Sequence, residues 1–412
     1  MASAGKVRRW AAKKGAETPA AGVSTPLTEE QKEEKQQQQK QQGGALEQQV
    51  VAPPKLSAGQ VVLARSGVKS LASTAFASGV RLAYTQRYAE EIARVQQLLP
   101  PGSRWVDSHC HFESILGRTW RGGGKPQVME GEEILDLEGL VRSWPEGLDG
   151  CISNFVFKRL SKPGARLSEW GWIEEHLPQF SASSPVGSKI WFTIGLHPHD
   201  AGNWDAAAEQ KVRKLAQHPK CVGIGECGFD FFKHSEEEAE KQEQAFRAQA
   251  QLAVELGKAL VIHARQAESL CLKVLSDLVP ESHPIHLHCF SDSLSHALLM
   301  CQRWPNLRIG FTGSVTFTPK LAKGKGKGKG KGGSQDSEPV VDRIEELLLG
   351  VPLERLLLET DGPYMAPEPF RGQTAHPGLV HRVAEKIAQV KGIPLAQVME
   401  ATRMSTRVVY GI

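Results

Sequence analysis

Short runs of apolar and β-branched residues recur along the chain after residue 102, and a longer polar stretch with helical periodicity follows most of them. Such runs predict buried strands, and strands that alternate with helices predict parallel βαβ units. We predict eight strands, at residues 105–107, 150–155, 190–196, 222–226, 259–263, 285–288, 308–312 and 355–359. Eight strands alternating with helices predict an α/β fold of the (β/α)8 TIM barrel type.

Several helix boundaries can be predicted from capping residues. Ser235 followed by Glu238 is the pattern of a capping box, and Gly257 predicts the end of the same helix. Residues 378–390 and 394–410 are predicted as two final helices, with Pro394 as a first helical residue. A further amphipathic helix before Pro100 is predicted from the spacing of Leu82, Tyr88, Ile92, Val95 and Leu99.

The hydrophobic pattern also divides the chain. Residues 1–57 are rich in Gln, Lys, Glu, Ala and Pro and poor in aromatic residues, which predicts a disordered N-terminal extension. Residues 58–102 are predicted as a helical lead-in, and residues 103–412 as the barrel. Within it, the alternating Lys-Gly stretch in residues 320–339 predicts a flexible insert, because glycine at every second position forbids a stable element.

Composition limits the function classes. The formal net charge of +4 is smaller than the charge of the five lysines between Lys323 and Lys331, so the remainder is nearly neutral. That balance allows a nucleic-acid substrate if metal ions contact the phosphates. The insert is either a plain surface loop or an electrostatic tether for a polyanion.

The cysteines and the hydropathy of the chain indicate the cellular compartment in which we expect the protein. Seven cysteines without a Cys-x-x-Cys pair indicate a reducing, intracellular environment, and no apolar run is long enough to span a membrane. Five basic residues and no acid within residues 1–15 are compatible with the nucleus or a mitochondrial leader. We therefore expect the nucleus or cytoplasm, with the mitochondrion as an alternative.

Metal-binding residue types stand where the predicted strands end. His109 and His111 end the first strand, and two histidines two positions apart project to the same side of an extended chain. Glu226, His263, His288 and Asp361 end or follow the fourth, fifth, sixth and eighth strands. The carboxyl ends of barrel strands meet at one mouth, so we predict that these six groups form one metal site.

At this point the sequence resembles the TatD family of metal-dependent deoxyribonucleases. The resemblance runs from about residue 105 to 412 and is carried by motifs at residues 107–111, 195–199, 223–230, 263–265, 288–291, 359–364 and 371–372. The sequence departs from the family in four features: the leader, the loop after the first strand, the Lys-Gly insert, and Ser405, where family members commonly have Asn. None of these departures removes a proposed ligand.

The resemblance implies roles for individual residues. His109, His111 and Asp361 would bind one divalent ion, His263 and His288 a second, and Glu226 would bridge both. Two ions activate a water and stabilise the attacking and leaving oxygens. Mg²⁺ is expected, with Mn²⁺ or Zn²⁺ possible for histidine ligands. Glu226 and Asp361 would be the catalytic residues, with Asp361 as the general base.

Other positions are assigned to the substrate. The resemblance implies that His197 contacts a phosphate, and Arg265 and Arg371 could add charge-assisted bonds, with structural salt bridges as the alternative. We expect His199 and His286 to pack in the core or to support the ligands. The aromatic residues that could stack on bases are Phe231, Phe232, Trp120 and Tyr364, for most of which core packing is the expected role.

Three functions are consistent with these residues. The first is a nuclease that hydrolyses phosphodiester bonds of DNA, with RNA as a further candidate substrate. The resemblance implies that it acts as a 3′–5′ exonuclease on single-stranded ends. The second is an ester hydrolase acting on aminoacyl-tRNA or a small lactone, because an activated water can also attack a carbonyl. The third is a catalytically silent nucleic-acid-binding scaffold, against which all six ligand residues argue. No protein partner can be identified.

Overall fold

The computed structural model describes residues 86–117, 137–156, 169–181, 183–232, 238–317 and 340–412. These residues fall in one compact unit that spans Ala64–Ile412. The predicted leader, the Lys-Gly insert and the capping position Ser235 lie outside the described residues, as does Trp120. The boundaries of the leader and the lead-in therefore stay predictions.

Eight parallel strands form a single sheet in chain order, and all eight predicted strands are confirmed. The first and fourth extend beyond their predicted ends, so Glu226 lies within its strand and not at the end of it. They are β1 Trp105–Cys110, β2 Leu148–Val156, β3 Ile190–Gly195, β4 Cys221–Asp230, β5 Ala259–Arg265, β6 Ile285–His288, β7 Leu307–Phe311 and β8 Leu356–Leu358.

The first strand meets the chain just after the last strand. The backbone N–H of Asp361 donates to the carbonyl of His109 at 2.9 Å, and the N–H of His111 donates to the carbonyl of Gly362 at 2.7 Å. The buried carboxylate of Asp107 accepts from the hydroxyl of Thr360 at 2.6 Å and from its backbone N–H at 3.0 Å. These bonds bring the two ends of the sheet together, as a barrel requires.

The helices precede the first strand and lie between and after the strands. They are α1 Gln86–Leu98, α2 Phe112–Gly117, α3 Leu137–Arg142, α4 Glu169–His176, α5 Pro185–Lys189, α6 Ala206–Ala216, α7 Ala239–Leu256, α8 Glu268–Leu278, α9 Leu294–Arg303, α10 Val340–Gly350, α11 His381–Lys391 and α12 Leu395–Tyr410. None of them, within the part of the chain that the structure describes, is long and apolar enough to cross a membrane.

The helix ends follow the sequence with three corrections. Glu238 is the cap residue before α7 and not part of a capping box within it, and its side chain makes no capping hydrogen bond. Gly257 takes the left-handed conformation with φ 60° and ends α7, as predicted. The helix predicted from residue 378 begins only at His381, because Pro377–Leu379 forms a short 3-10 helix first. Pro394 is the cap of α12 and not its first helical residue, since its ψ of 139° is extended.

Alternation along the strands creates two apolar layers. In β5, Leu260 and Ile262 belong to the main core, which includes residues from most of the helices, whereas Ala259 and Val261 belong to a second, smaller cluster. Successive side chains of a strand point to opposite faces, so this second cluster lies inside the ring of strands. Val409 and Tyr410 at the end of α12 join it, and they form an apolar floor beneath the polar residues at the other end of the strands.

Candidate metal centre

The predicted ligands lie on the faces of the strands that point into the barrel, and they are therefore close together. His263 shares the face of Val261, two residues before it in β5, and His288 shares the face of His286 in β6. The same period of two places His109 and His111 on one side of the chain at the end of β1. Above the apolar floor, the barrel interior is therefore lined by histidines and carboxylates.

A first group forms around one oxygen of Glu226. Oε2 of Glu226 lies 3.5 Å from Nε2 of His109 and 3.6 Å from Nε2 of His111. Oδ1 of Asp361 lies 3.9 Å and 3.4 Å from the same two nitrogens. The two imidazole nitrogens are 3.3 Å apart. Two imidazoles and two carboxylates thus point at a common centre.

A second group forms around the other oxygen of Glu226. Oε1 lies 2.6 Å from Nδ1 of His263, 3.7 Å from Nε2 of His288 and 3.6 Å from Nε2 of His197. His288 also approaches Asp361, with 3.9 Å between Nε2 and Oδ1. The carboxylate of Glu226 therefore lies between two sets of histidines.

Buried carboxylates contact the far side of several of these rings. Nδ1 of His288 lies 3.2 Å from Oε2 of Glu359, and Nε2 of His263 lies 3.2 Å from Oδ2 of Asp230. Nδ1 of His111 lies 2.8 Å from the carbonyl oxygen of Asn154. Such partners fix the orientation and tautomer of a metal-binding histidine.

Burial and neighbouring charges shift the pKa values in opposite directions. Complete burial, together with the nearby charge of His288, lowers the pKa of His109 to about 4. Burial also acts to lower the pKa of His288, but the carboxylates of Glu359 and Glu226 outweigh it and raise the pKa to about 10. Burial raises the pKa of Glu226, yet the surrounding histidines hold it well below its usual range. Without metal, the centre therefore holds a neutral His109, an anionic Glu226 and a protonated His288, which has to release a proton to bind an ion.

These donors fit divalent metal ions. Two ligands about 2.1 Å from one tetrahedral ion lie about 3.4 Å apart, which is close to the separations among His109, His111 and Asp361. Nδ1 of His111 faces a carbonyl oxygen, and donation to that acceptor leaves the lone pair of Nε2 for an ion. Nitrogen and carboxylate donors suit Zn²⁺ and Mn²⁺, and carboxylates suit Mg²⁺.

The backbone at Asp361 is unusual. Its φ is 49°, in the left-handed region that Asp tolerates better than most residues. Its own N–H donates to His109, and its carbonyl accepts from the N–H of Tyr364 at 2.8 Å. This turn directs the Asp361 carboxylate back over the mouth of the barrel after β8 has ended.

The predicted substrate residues occupy different places. His197 joins the second histidine group, with its Nδ1 accepting from the N–H of His199 at 3.1 Å. The guanidinium of Arg265 lies 4.2 Å from the ring of Phe232, and that of Arg371 lies 4.0 Å from the ring of Phe317. Within the described residues, the contacts of both arginines are with neighbours other than the six predicted ligands.

The remaining aromatic and histidine predictions are partly confirmed. Phe231 packs against the core, but Phe232 is 53% exposed and Tyr364 is 38% exposed, so core packing is wrong for these two. His286 is fully buried, as predicted. His199 is partly exposed, and its Nε2 lies 2.8 Å from Oδ2 of Asp230, which in turn contacts His263, in agreement with the predicted supporting role.

The sequence gave no role to four residues that contact the proposed ligands or the groups beside them. Asp230 and Glu359 lie within the family motifs. A carboxylate close in sequence to a predicted ligand could have indicated their roles. Asn154 acts through its backbone oxygen, and Tyr410 lies at the end of a helix that is remote in sequence. Neither leaves a signal in a single sequence.

The comparisons with known proteins identify the family of the chain. A model of the family of TatD-related DNases matches residues 106–411. The human 3′–5′ RNA nuclease TATDN2 is 29% identical over 311 residues, which are 75% of this chain and 35% of that protein. This chain therefore spans about a third of the length of TATDN2.

A bacterial relative is covered almost completely. The 3′–5′ ssDNA/RNA exonuclease TatD of Escherichia fergusonii is 30% identical over 277 residues, which are 66% of this chain and 92% of that protein. The matching part of this chain thus corresponds to nearly the whole bacterial enzyme.

Solved structures support the fold alone. The TatD homologue YJJV from Escherichia coli covers 76% of this chain and 99% of its own, with 20% identity and a TM-score of 0.55. A TatD family hydrolase from Entamoeba histolytica covers 75% of this chain and 98% of its own, with 16% identity and a TM-score of 0.56.

Proposed function

The chain belongs to the family of TatD-related DNases, and we propose that it is a metal-dependent nuclease that hydrolyses phosphodiester bonds of DNA. We further propose that it removes nucleotides in the 3′–5′ direction from single-stranded ends. The names of the human and bacterial relatives support this polarity, and they extend the substrate class to RNA.

The observation that carries the proposal is the position of Glu226. Its Oε2 faces His109 and His111, while its Oε1 faces His263 and His288. A carboxylate shared in this way can bridge two cations and offset their mutual repulsion. This supports a centre for two ions, in which His109, His111 and Asp361 serve one and His263 and His288 serve the other.

The chain's own residues would perform the remaining steps. Two divalent ions would supply Lewis acidity for a water and for the phosphate oxygens. Asp361, at the mouth, is placed to accept the proton of the attacking water. His197 would contact the scissile phosphate, and Arg265 and Arg371 would bind flanking phosphates. A cation–π contact holds each guanidinium group. Arg371 also pairs with Glu368 at 3.8 Å, so a phosphate would compete with that carboxylate for Arg371.

The identity of the ions is part of the proposal. We expect Mg²⁺ as the working ion, in line with the family resemblance. The four histidine donors suit Mn²⁺ and Zn²⁺ at least as well as Mg²⁺. We therefore expect Mn²⁺ to support the reaction too.

The free cysteines bear on the cellular compartment that we propose for the protein. All seven cysteines are free, and six of them are buried. This supports a reducing compartment, and we propose the nucleus or cytoplasm, with the mitochondrion as the alternative.

The test is cleavage of end-labelled oligonucleotides by purified protein. Single-stranded DNA labelled at the 5′ end should give a ladder of shortening products, whereas a 3′ label should be released at once as a mononucleotide. EDTA should stop cleavage, and Mg²⁺, Mn²⁺ and Zn²⁺ are added back separately. Products of the opposite polarity would contradict the exonuclease direction.

The same preparation discriminates the other candidate functions. An ester hydrolase would leave DNA and RNA intact and would hydrolyse aminoacyl-tRNA or a lactone in the presence of the ion. A silent scaffold would bind the oligonucleotide without cleaving it under any metal condition. Either result would overturn the nuclease proposal.

A further inference from the structure

A chain of buried polar groups runs from the floor of the barrel to the metal centre. The hydroxyl of Tyr410 lies 2.5 Å from Nδ1 of His286. Nε2 of His286 contacts Oε1 of Glu359. Oε2 of the same carboxylate lies 3.2 Å from Nδ1 of His288, whose Nε2 faces the centre. The end of the C-terminal helix is thereby connected to a proposed metal ligand.

These groups are shielded from solvent. His286 and Glu359 are 0% exposed, His288 is 5% exposed and Tyr410 is 7% exposed. A buried polar group that loses its partner is destabilising, because bulk water does not replace the lost hydrogen bond. Each member of the chain therefore depends on the next.

The chemistry of Glu359 gives the chain a direction. An ionised carboxylate only accepts hydrogen bonds, and Oε2 of Glu359 already accepts from the backbone N–H of Cys289 at 2.9 Å. Nε2 of His286 and Nδ1 of His288 both contact this carboxylate, so an N–H on either nitrogen can be directed at it. A neutral His286 that donates from Nε2 has a lone pair on Nδ1, which can accept the hydroxyl hydrogen of Tyr410.

We propose that Tyr410 is a positioning residue for the metal centre: its hydroxyl selects the tautomer of His286 that donates to Glu359, and Glu359 in turn orients His288. This rests on the metal centre of the proposed function and adds to it a role for the end of the C-terminal helix. When the hydrogen of His288 is on Nδ1, the lone pair is on Nε2 and is directed at the ion.

Tyr410 also packs in the apolar floor with Val409 and Val261, so the test must separate its hydroxyl from its ring. Tyr410→Phe keeps the ring and removes only the hydroxyl. Loss of a group that supports a metal-binding histidine costs about 10–100-fold in metal affinity. Tyr410 acts through two intermediates, so we expect the lower end, about tenfold weaker binding of Mn²⁺ by calorimetric titration.

Tyr88→Phe is the matched control. Tyr88 is another buried tyrosine, 4% exposed, in a separate apolar cluster with Phe370 and Leu379. We expect its Mn²⁺ affinity to equal that of the wild type. Equal weakening in both variants would show a general effect of removing a buried hydroxyl and would overturn the proposal.

Substitutions of His286 test the same chain without altering Tyr410. His286→Gln keeps an N–H donor near the position of Nε2, whereas His286→Leu removes the donor at similar volume. We expect the Gln variant to retain Mn²⁺ affinity and the Leu variant to lose about tenfold. Adding Tyr410→Phe to His286→Gln should cause no further loss, because the amide no longer depends on the hydroxyl.

Ring nitrogen NMR spectra of ¹⁵N-histidine protein give a readout that packing alone would not move. In wild-type protein His286 should show a single tautomer protonated at Nε2, and in Tyr410→Phe a mixture. An unchanged spectrum with unchanged Mn²⁺ affinity in Tyr410→Phe would overturn the role of Tyr410 alone. If wild-type protein binds no Mn²⁺, the metal centre of the proposed function and this role both fail.

Discussion

Nε2 of His109 and Nε2 of His111 lie only 3.3 Å apart at the end of β1. Two neutral acceptor nitrogens at this distance repel each other unless a proton or a cation lies between them. Burial lowers the pKa of His109 to about 4, so this ring is a neutral imidazole with a single N–H at neutral pH. When that hydrogen is on Nδ1, the lone pairs of both Nε2 atoms face each other. A cation is the natural partner for this pair.

Metal loading should therefore stabilise the fold. A ligand present at 100 times its Kd stabilises the native state by about 2.7 kcal/mol, which corresponds to a rise of about 5 °C or more in Tm. Thermal unfolding is followed in EDTA and then with Mn²⁺ or Mg²⁺ in excess. Ca²⁺ serves as a control for a cation that favours oxygen ligands. A Tm unaffected by Mn²⁺ and Mg²⁺ alike would contradict the metal centre.

Glu226→Gln should abolish turnover while the barrel remains folded. The amide keeps the shape of the side chain but removes the negative charge that both histidine groups face, and we expect a rate lower by at least about 10³-fold. Glu359→Gln is not an equivalent control, because Glu359 supports His288. Glu255, which pairs with Arg213 far from the centre, is a better one, and Glu255→Gln should cleave normally. Wild-type cleavage by Glu226→Gln would refute the bridge.

Asp361→Asn should slow the chemical step more than it weakens substrate binding. The variant keeps one ligand oxygen but loses the proton acceptor, and loss of general-base assistance costs about 10²–10⁴ in rate. Single-turnover cleavage, metal content and oligonucleotide affinity are measured on one preparation. Normal cleavage with normal metal content would exclude Asp361 as the base. Loss of both ions would make it chiefly a ligand.

Gly225→Ala should destabilise the protein by at least about 2 kcal/mol. Gly225 has a φ of 130°, and a Cβ there would meet the carbonyl oxygen of Val261 at 2.3 Å. The resulting shift would also move Glu226. Gly202→Ala is the control, because its Cβ would meet only Lys241 at an ordinary 3.7 Å. Chemical denaturation compares the two, and equal stabilities would contradict the close approach of β4 and β5.

Glu91 should make the protein sensitive to acid. The carboxylate of Glu91 lies 2.7 Å from Nη2 of Arg94 in the same helix, and 2.6 Å from Nε2 of His381, a contact that joins α1 to α11. Burial acts to raise the pKa of Glu91, but these partners hold it well below its usual range. A carboxyl with a depressed pKa stabilises the fold above its unfolded pKa of about 4.3, and this contribution is lost as the pH falls.

Glu91→Gln should therefore lower stability at pH 7 and matter less in acid. We expect a loss of about 2 kcal/mol at pH 7, less than for a fully buried pair, because Arg94 is 36% exposed. The difference from wild type should shrink as the pH falls below about 4. Glu90→Gln, on the exposed side of the same helix, is the control. A difference that is independent of pH would refute the electrostatic explanation.

Much of the fold could be predicted from local pattern. The β5 and β6 strands were predicted from runs of branched apolar residues that end in His263 and His288, and the structure places both strands there. The end of α7 followed from Gly257. Errors occurred where local signals compete: Pro394 is acceptable both as a cap and as a first helical residue, and only the conformation of the preceding loop decides between them.

The sequence by itself determined which residue types stand at the strand ends, because the period of two and the strand boundaries are local properties of the chain. It could not determine which oxygen of Glu226 faces which histidine, since that depends on the register of β4 against β5. Nor could it determine that Tyr410 contacts His286, 124 residues away in sequence. Contacts of this kind arise only when the strands close into a ring and the last helix packs beneath it, because their geometry is set by the whole barrel and not by any segment of it.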